Sequence, residues 1–266
     1  MKKISFIILF LFVIFVSSEK IFSVEKNNVK ITILYDNYLF SERLKTDWGF
    51  SCFIEGTEKV ILFDTGTNGD ILFYNINKLK VNPKNVEYIV ISHNHSDHTG
   101  GFFTFLEKNN KVTIFLPASS PQDTIKKIER TGAKVILVDK PREICKDVFL
   151  TGEMGTSVKE QSIILNTDNG LVIITGCAHP GIVDILERAK DIINKDIYLV
   201  FGGFHLLDKT ENEINEIIGD FKKLKVLNLG ATHCTGDKQI KMFKKAYGKN
   251  FVKFGVGKVL NVSNLY

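Results

Sequence analysis

His93-Asn94-His95-Ser96-Asp97-His98, followed at once by Thr99-Gly100-Gly101, places four metal-ligating side chains within six residues. The stretch before it, Val86 to Ile91 (VEYIVI), is short, β-branched and aromatic, which predicts a buried strand ending where the ligands begin. Alternate residues of an extended segment share a face, so His93 and His95 can reach one ion. Asp97 and His98 come after the chain has begun to turn, and they aim at a second ion beside the first. Imidazole with carboxylate suits zinc, iron or manganese. A lone histidine is usually a satisfied surface or core group; four ligands in six positions are not explained that way. The other three of the six histidines also fall at predicted strand ends, in GCAH (His179), GGFH (His205) and ATHCTG (His233).

With 266 residues and 44% apolar content the chain can bury a substantial core. It has no Pro- or Ser-rich linker, low-complexity tract or fixed-period repeat, so residues 27–266 read as one domain. Ahead of it, Lys2 and Lys3 precede an apolar run from Ile4 to Val16 that ends in Val16-Ser17-Ser18. This predicts a signal peptide over residues 1–18 and an exported protein, periplasmic or extracellular. The run is shorter than the ~20 residues that span a bilayer; retained, it would be an N-terminal membrane anchor. Cys52, Cys145, Cys177 and Cys234 could pair in an exported chain. Cys177 and Cys234 each sit beside a motif histidine, so metal ligation competes with disulfide formation. The net charge of +5 is too mild to argue for nucleic acid, and the lysine pairs at 126/127, 222/223 and 244/245 read as solvated helix faces.

Strand-like and helix-like segments alternate throughout. Val29 to Tyr35 predicts a strand; an irregular segment through Trp48-Gly49 leads to a hairpin, Phe50 to Glu55 and Val60 to Phe63, which ends in Asp64-Thr65-Gly66. A helix from Asp70 stops at Asn82-Pro83. After the histidine motif come a helix (102–107), a strand (112–116), a helix (121–130) and a strand (134–138). Ser162 to Leu165 and Leu171 to Thr175 flank Asp168-Asn169-Gly170, a strong hairpin turn. Three helix-strand units finish the chain: 181–192 with 197–201, 211–224 with 226–229, and 238–247 with 251–254. Hairpins mixed with crossovers predict an α/β protein with two mixed sheets and helices outside them.

These residues resemble the metallo-β-lactamase fold superfamily of metallohydrolases, whose signature H-x-H-x-D-H stands here as HNHSDH, with its upstream Asp in LFDTG (Asp64). The set ILFDTG, ISHNHSDHTGG, EQSIIL, TGCAHPGI, GGFHLL and THCTG is similar to the dihydropterin-aminobenzene-ribofuranosyl-phosphate synthase-like subfamily, from about Val29 to the C-terminus. The resemblance implies a four-layer αββα sandwich with two divalent metal ions, zinc first and manganese or iron as alternatives, at one edge between the sheets. It carries His93 and His95 to the first metal, Asp97 and His98 to the second, and His233 to the histidine that completes the second. Spacing puts His179 at the third position of the first metal and His205 where a bridging carboxylate normally stands. The local pattern of the SIILNTDNGLVIITGC hairpin instead puts Cys177 at the bridge. Under either alignment His179 is a ligand. Asp64 is read as orienting a ligand from behind; Glu160 is a weaker candidate for the same role, set against the slightly favoured reading of a solvated surface side chain. His205 is open between touching substrate, shuttling a proton and serving as a structural group.

Two divalent ions about 3.5–4 Å apart can share a hydroxide and bring its pKa towards ~7. That favours hydrolysis of an ester, phosphoester or related bond in a small molecule, with Asp97 and His205 as catalytic candidates. No G-x-S-x-G elbow competes for the nucleophile's role, and Ser96 reads as a turn residue. The alternatives are an iron-dependent oxidoreductase on the same fold and the pterin-related synthase that the subfamily implies, against which the signal segment counts.

Overall fold

The computed structural model describes residues 29–265; the predicted signal or anchor segment lies outside them. No helix among the described residues is long and apolar enough to cross a membrane. In chain order the first half holds β1 (Lys30–Tyr35), β2 (Ser51–Glu55), β3 (Ile61–Phe63), α1 (Gly69–Lys78), β4 (Tyr88–Val90), α2 (Ser96–Thr99), α3 (Phe102–Lys108), β5 (Thr113–Pro117), α4 (Gln122–Glu129) and β6 (Lys134–Val138). The second half holds β7 (Arg142–Cys145), β8 (Val148–Leu150), β9 (Ile163–Thr167), β10 (Gly170–Thr175), α5 (Ile182–Ile192), β11 (Ile197–Gly203), α6 (Glu211–Lys223), β12 (Asn228–Thr232), α7 (Asp237–Tyr247) and β13 (Val259–Asn261).

Two mixed sheets result, ordered β13-β1-β2-β3-β4-β5-β6 and β12-β11-β10-β9-β8-β7. Strands β3 to β6 are mutually parallel in the first and β10 to β12 in the second; the remaining pairings are antiparallel. Period-two alternation decides which face each side chain joins. In β10, Val172 and Ile174 enter the core between the sheets, with Ile31, Phe63 and Val90 of the first sheet. Its Leu171 and Ile173 face the other way, onto α5, α6 and α7 through Leu186, Phe221 and Phe243. The first sheet's outer face is covered by α1, α3 and α4 through Leu72, Phe105 and Ile125. Both faces of β10 are covered, so all six of its residues are buried and its sequence is uniformly apolar until Thr175. The predicted four-layer αββα sandwich is therefore present, with each wholly buried Leu, Ile or Phe contributing about 1.5–3 kcal/mol.

Local chemistry sets the element ends. Asn68 caps α1 by accepting from the backbone N–H of Asp70 and Ile71, and Thr210 with Glu213 forms a capping box on α6. The strand expected at Val226–Leu229 starts later, because Lys225 (φ 58°) and Val226 close α6 by donating to Lys222 and Phe221 carbonyls. Its shift to Asn228–Thr232 delivers His233 at the strand's end. The strand expected at Phe251–Phe254 does not form. Phe251 makes one bridge to Leu229; Phe254 then stacks on Phe201 with ring centroids 4.5 Å apart. The chain crosses between the sheets to lay β13 against β1. Apolar alternation there reports burial, and burial does not require a ladder partner. The lysine pairs at 126/127, 222/223 and 244/245 are solvent-facing on their helices.

Candidate metal centre

Parallel pairing points the carboxyl ends of β3, β4, β10, β11 and β12 to one edge of the sandwich, where ligand sites of open α/β sheets commonly lie. Asp64 follows β3, the HNHSDH run follows β4, Cys177 and His179 follow β10, His205 follows β11 and His233 follows β12. All six histidine rings meet there in one contiguous group. Their centroids lie 4.2 Å apart for His93 and His98, 4.4 Å for His179 and His205, and 5.1 Å for His98 and His233. Four residues of this edge, Asp64, Ala178, His205 and His233, adopt left-handed backbone at φ 49–62°. Such conformations cost roughly 1–2 kcal/mol each outside glycine and persist where surroundings impose them, often at functional sites. A Cβ on Gly176 would collide with Ser92 Oγ and stand 3.1 Å from Asp64 Oδ2, so glycine there lets the second sheet reach the first.

The hydrogen bonds behind the rings fix their tautomers. Ser92 Oγ donates to Asp64 Oδ2 at 2.7 Å, so its contact with His93 Nδ1 at 2.9 Å is one in which Nδ1–H donates. His98 Nδ1 lies 2.7 Å from Asp64 Oδ2 and His179 Nδ1 2.9 Å from Glu160 Oε2, and these carboxylates accept. Asn37 uses its amide nitrogen on the His233 carbonyl and its oxygen on Gly49 N–H, which leaves Oδ1 to accept from His233 Nδ1 at 2.9 Å. In four imidazoles Nδ1 is thus committed, and Nε2 is the ring nitrogen that faces the centre. Two of these, His93 Nε2 and His233 Nε2, are buried with no hydrogen-bond partner. Buried polar nitrogens without partners are costly, and a cation is what a lone pair in that position fits.

The donors sort into overlapping groups. His93, His95 and His179 offer three nitrogens within 4.8 Å of one another; Asp97, His98, Cys177 and His233 form a second set on the same limit. These match the sequence-derived division, with His179 joining the first group. Of the two bridging candidates, Cys177 Sγ lies 3.3 Å from His98 Nε2, in the Asp97 set, whereas His205 groups with Cys177 and Cys234. Asp97 Oδ2 stands 3.3 Å from His233 Nε2 and 3.5 Å from His98 Nε2. Among the described cysteines all four are free.

Charge is distributed to match. Burial pushes His93 down to about 2, helped by its neighbour His98. Burial would lower His98 as well, but Asp64 and Asp97 override it and raise it to about 10. Burial opposes ionisation of Asp97, yet the His233 and His98 imidazoles facing its Oδ2 hold it well below the usual carboxylate range. Glu160 corrects the favoured of its two sequence readings, solvation, and follows the other, support of a ligand. It is 1% exposed, not solvated, and accepts from the backbone N–H of Cys177, Ala178 and His179 as well as from His179 Nδ1. The one carboxylate therefore shapes the GCAH loop and aims its histidine. Sequence reasoning also passed over Asn37 and Trp48. Trp48 donates Nε1–H to Asp97 Oδ2 at 3.0 Å and lies over His233 with centroids 5.1 Å apart. Its standing as the chain's single tryptophan was the one available signal.

Fold and site together define an αββα sandwich with adjoining clusters of His, Asp and Cys donors at the sheet edge that could hold cations. Residues 49–121 match the family described as the Metallo-beta-lactamase superfamily. Over 88% of this chain and 97% of the relative, it is 31% identical to the 7,8-dihydropterin-6-methyl-4-(beta-D-ribofuranosyl)-aminobenzene-5'-phosphate synthase of Methanocaldococcus jannaschii. An uncharacterised protein of the same archaeon is 31% identical over 87% of this chain and 100% of its own. A solved structure described as a metal-dependent hydrolase of the beta-lactamase superfamily superposes with a TM-score of 0.75 at 27% identity, covering 89% of this chain and 100% of that one. The chain belongs to the metallo-beta-lactamase superfamily. Within it, its motifs and its near full-length similarity place it beside the archaeal synthase, and the fold implies divalent-metal binding.

Proposed function

We propose that the protein is a dinuclear metal-dependent hydrolase acting on an ester, phosphoester or related bond of a small molecule, with zinc as the metal. The observation that carries this reading is the pair of adjoining donor sets whose His93 and His233 Nε2 atoms are buried without partners. His93, His95 and His179 would hold one ion; Asp97, His98, Cys177 and His233 would hold the other. A thiolate and imidazoles favour zinc over magnesium or calcium. When bound, such ions supply Lewis acidity and an activated water at neutral pH. Asp97 is kept ionised and is clamped by Trp48, so Oδ2 keeps its place when substrate enters. Asp64 and Glu160 hold His98 and His179 at fixed angles. His205 is exposed at the rim beside His179, where an incoming substrate would meet it. The metal-dependent hydrolase that shares this fold at 27% identity supports the reading.

A second reading, a pterin-related synthase, draws on the archaeal relative's name and on its near full-length match. The experiment is one panel on purified protein of known metal content: phosphodiester, lactone, β-lactam, thioester and sulfate ester substrates, beside an assay for the product that the archaeal synthase is named for. Metal-dependent turnover of a hydrolytic substrate is expected. Synthase product without hydrolysis would replace the first reading with the second, and bound iron with a visible absorption band would favour an oxidoreductase.

A further inference from the structure

We propose that Cys177, His205 and Cys234 form a third cation site, for a thiophilic ion of the zinc class, that shares Cys177 Sγ with the Asp97 set. Each residue offers one donor atom, and the three atoms lie within 4.8 Å of one another. Zinc–sulfur and zinc–nitrogen bonds of about 2.3 and 2.0 Å space tetrahedral donors roughly 3.5–3.8 Å apart, so small rotamer changes close the set. Two thiols and an imidazole are also softer than the all-nitrogen first group.

The backbone builds this locus as deliberately as the others. Leu206 N–H donates to the Cys234 carbonyl at 3.3 Å and Phe204 N–H to Thr235 Oγ1 at 3.1 Å, tying the His205 loop to the Cys234 turn. Cys234 Sγ lies 3.7 Å from the Cys177 carbonyl, which brings the third segment in. A Cβ on Gly203 would stand 2.6 Å from Cys234 Sγ, so the space the thiol fills exists because residue 203 is glycine. Adjacent residues His233 and Cys234 thereby enter different sets, as do Cys177 and His179. Both thiols are buried while His205 is exposed. The arrangement is three protein donors with an open side, the pattern of a site that also accepts an outside ligand. The inference rests on the dinuclear reading only in sharing Cys177.

The test is titration of reduced, metal-free protein with Cd2+, read as ions retained per chain after desalting and as the ultraviolet sulfur-to-cadmium charge-transfer band. Wild type is expected to retain three ions and Cys234→Ser two, with about a third of the band remaining, since one of three sulfur–cadmium bonds survives. His205→Ala, altered at an exposed position and therefore safe for folding, is expected to retain two as well. Three ions persisting in both variants would overturn the third site. Two ions in wild type, unchanged in both variants, would overturn it while leaving the dinuclear reading intact. Fewer than two in wild type would remove both readings.

Discussion

Glu160 shows how much one side chain can organise. Its two oxygens satisfy three consecutive backbone N–H groups and one imidazole. Glu160→Ala would strand those donors in a buried site, and a loss of about 3–5 kcal/mol is expected in denaturant unfolding. Glu160→Gln keeps the shape but weakens the hold on His179 Nδ1. Competitive metal titration should show a roughly 10–100-fold loss of affinity at the His93, His95 and His179 group; wild-type affinity would show that Glu160 only supports the loop. Asp36 makes a different prediction. It is fully buried, accepts from Thr232 Oγ1 and the Tyr38 N–H, and burial outweighs these bonds and the nearby His233 to push its carboxyl up to about 6. A folded-state pKa above the unfolded value means that the native protein binds more protons between about pH 4 and 6. Stability from this group is therefore present at low pH and lost as pH rises through 6. Asp36→Asn should gain on wild type by up to about 3 kcal/mol between pH 4 and 7 in metal-free protein. A pH-independent difference between the two would refute the assignment.

At the level of strands and loops, the centre depends on short connections leaving parallel strands at a common edge. Gly176, just after β10, is a tight joint of this kind, and Gly176→Ala drives a methyl group into Ser92 Oγ. A cost of about 1–3 kcal/mol is expected, with a matching fall in metal retention because Ser92 and Asp64 position His93 and His98; unchanged retention would show that the joint tolerates separation. Contiguity explains what could be read beforehand. HNHSDH, GCAH, GGFH and THCTG announce themselves because their ligands are neighbours in the chain and follow apolar strands. Asn37, Trp48 and Glu160 do not, since they are recruited across 196, 49 and 19 residues by tertiary contact. Buried Glu160 looked solvated because a lone carboxylate usually is. Phe251 to Phe254 looked like a strand because alternation records which faces are covered, while the hydrogen bonds of that segment go elsewhere.

For the molecule as a whole, two sheets each contribute one wall of the centre, so cations at the edge would tie the halves of the sandwich together. Ligand that binds only the folded chain stabilises it by mass action, about 2.7 kcal/mol at a hundredfold excess over Kd. Adding Zn2+ to metal-free protein should therefore raise the unfolding midpoint, and a chelator should reverse the rise. The His98 and Asp97 positions bear most of the claim, since they join the motif to both Cys177 and His233. The most direct measurement is metal content with hydrolytic rate for wild type, Asp97→Ala and His98→Ala, side by side on the same substrate. A dinuclear hydrolase predicts two ions at the paired clusters in wild type, loss of at least one in each variant, and a fall in rate of a hundredfold or more, in line with the ~10²–10⁴ that single catalytic groups contribute. Equal metal content and equal rates in all three proteins would contradict it.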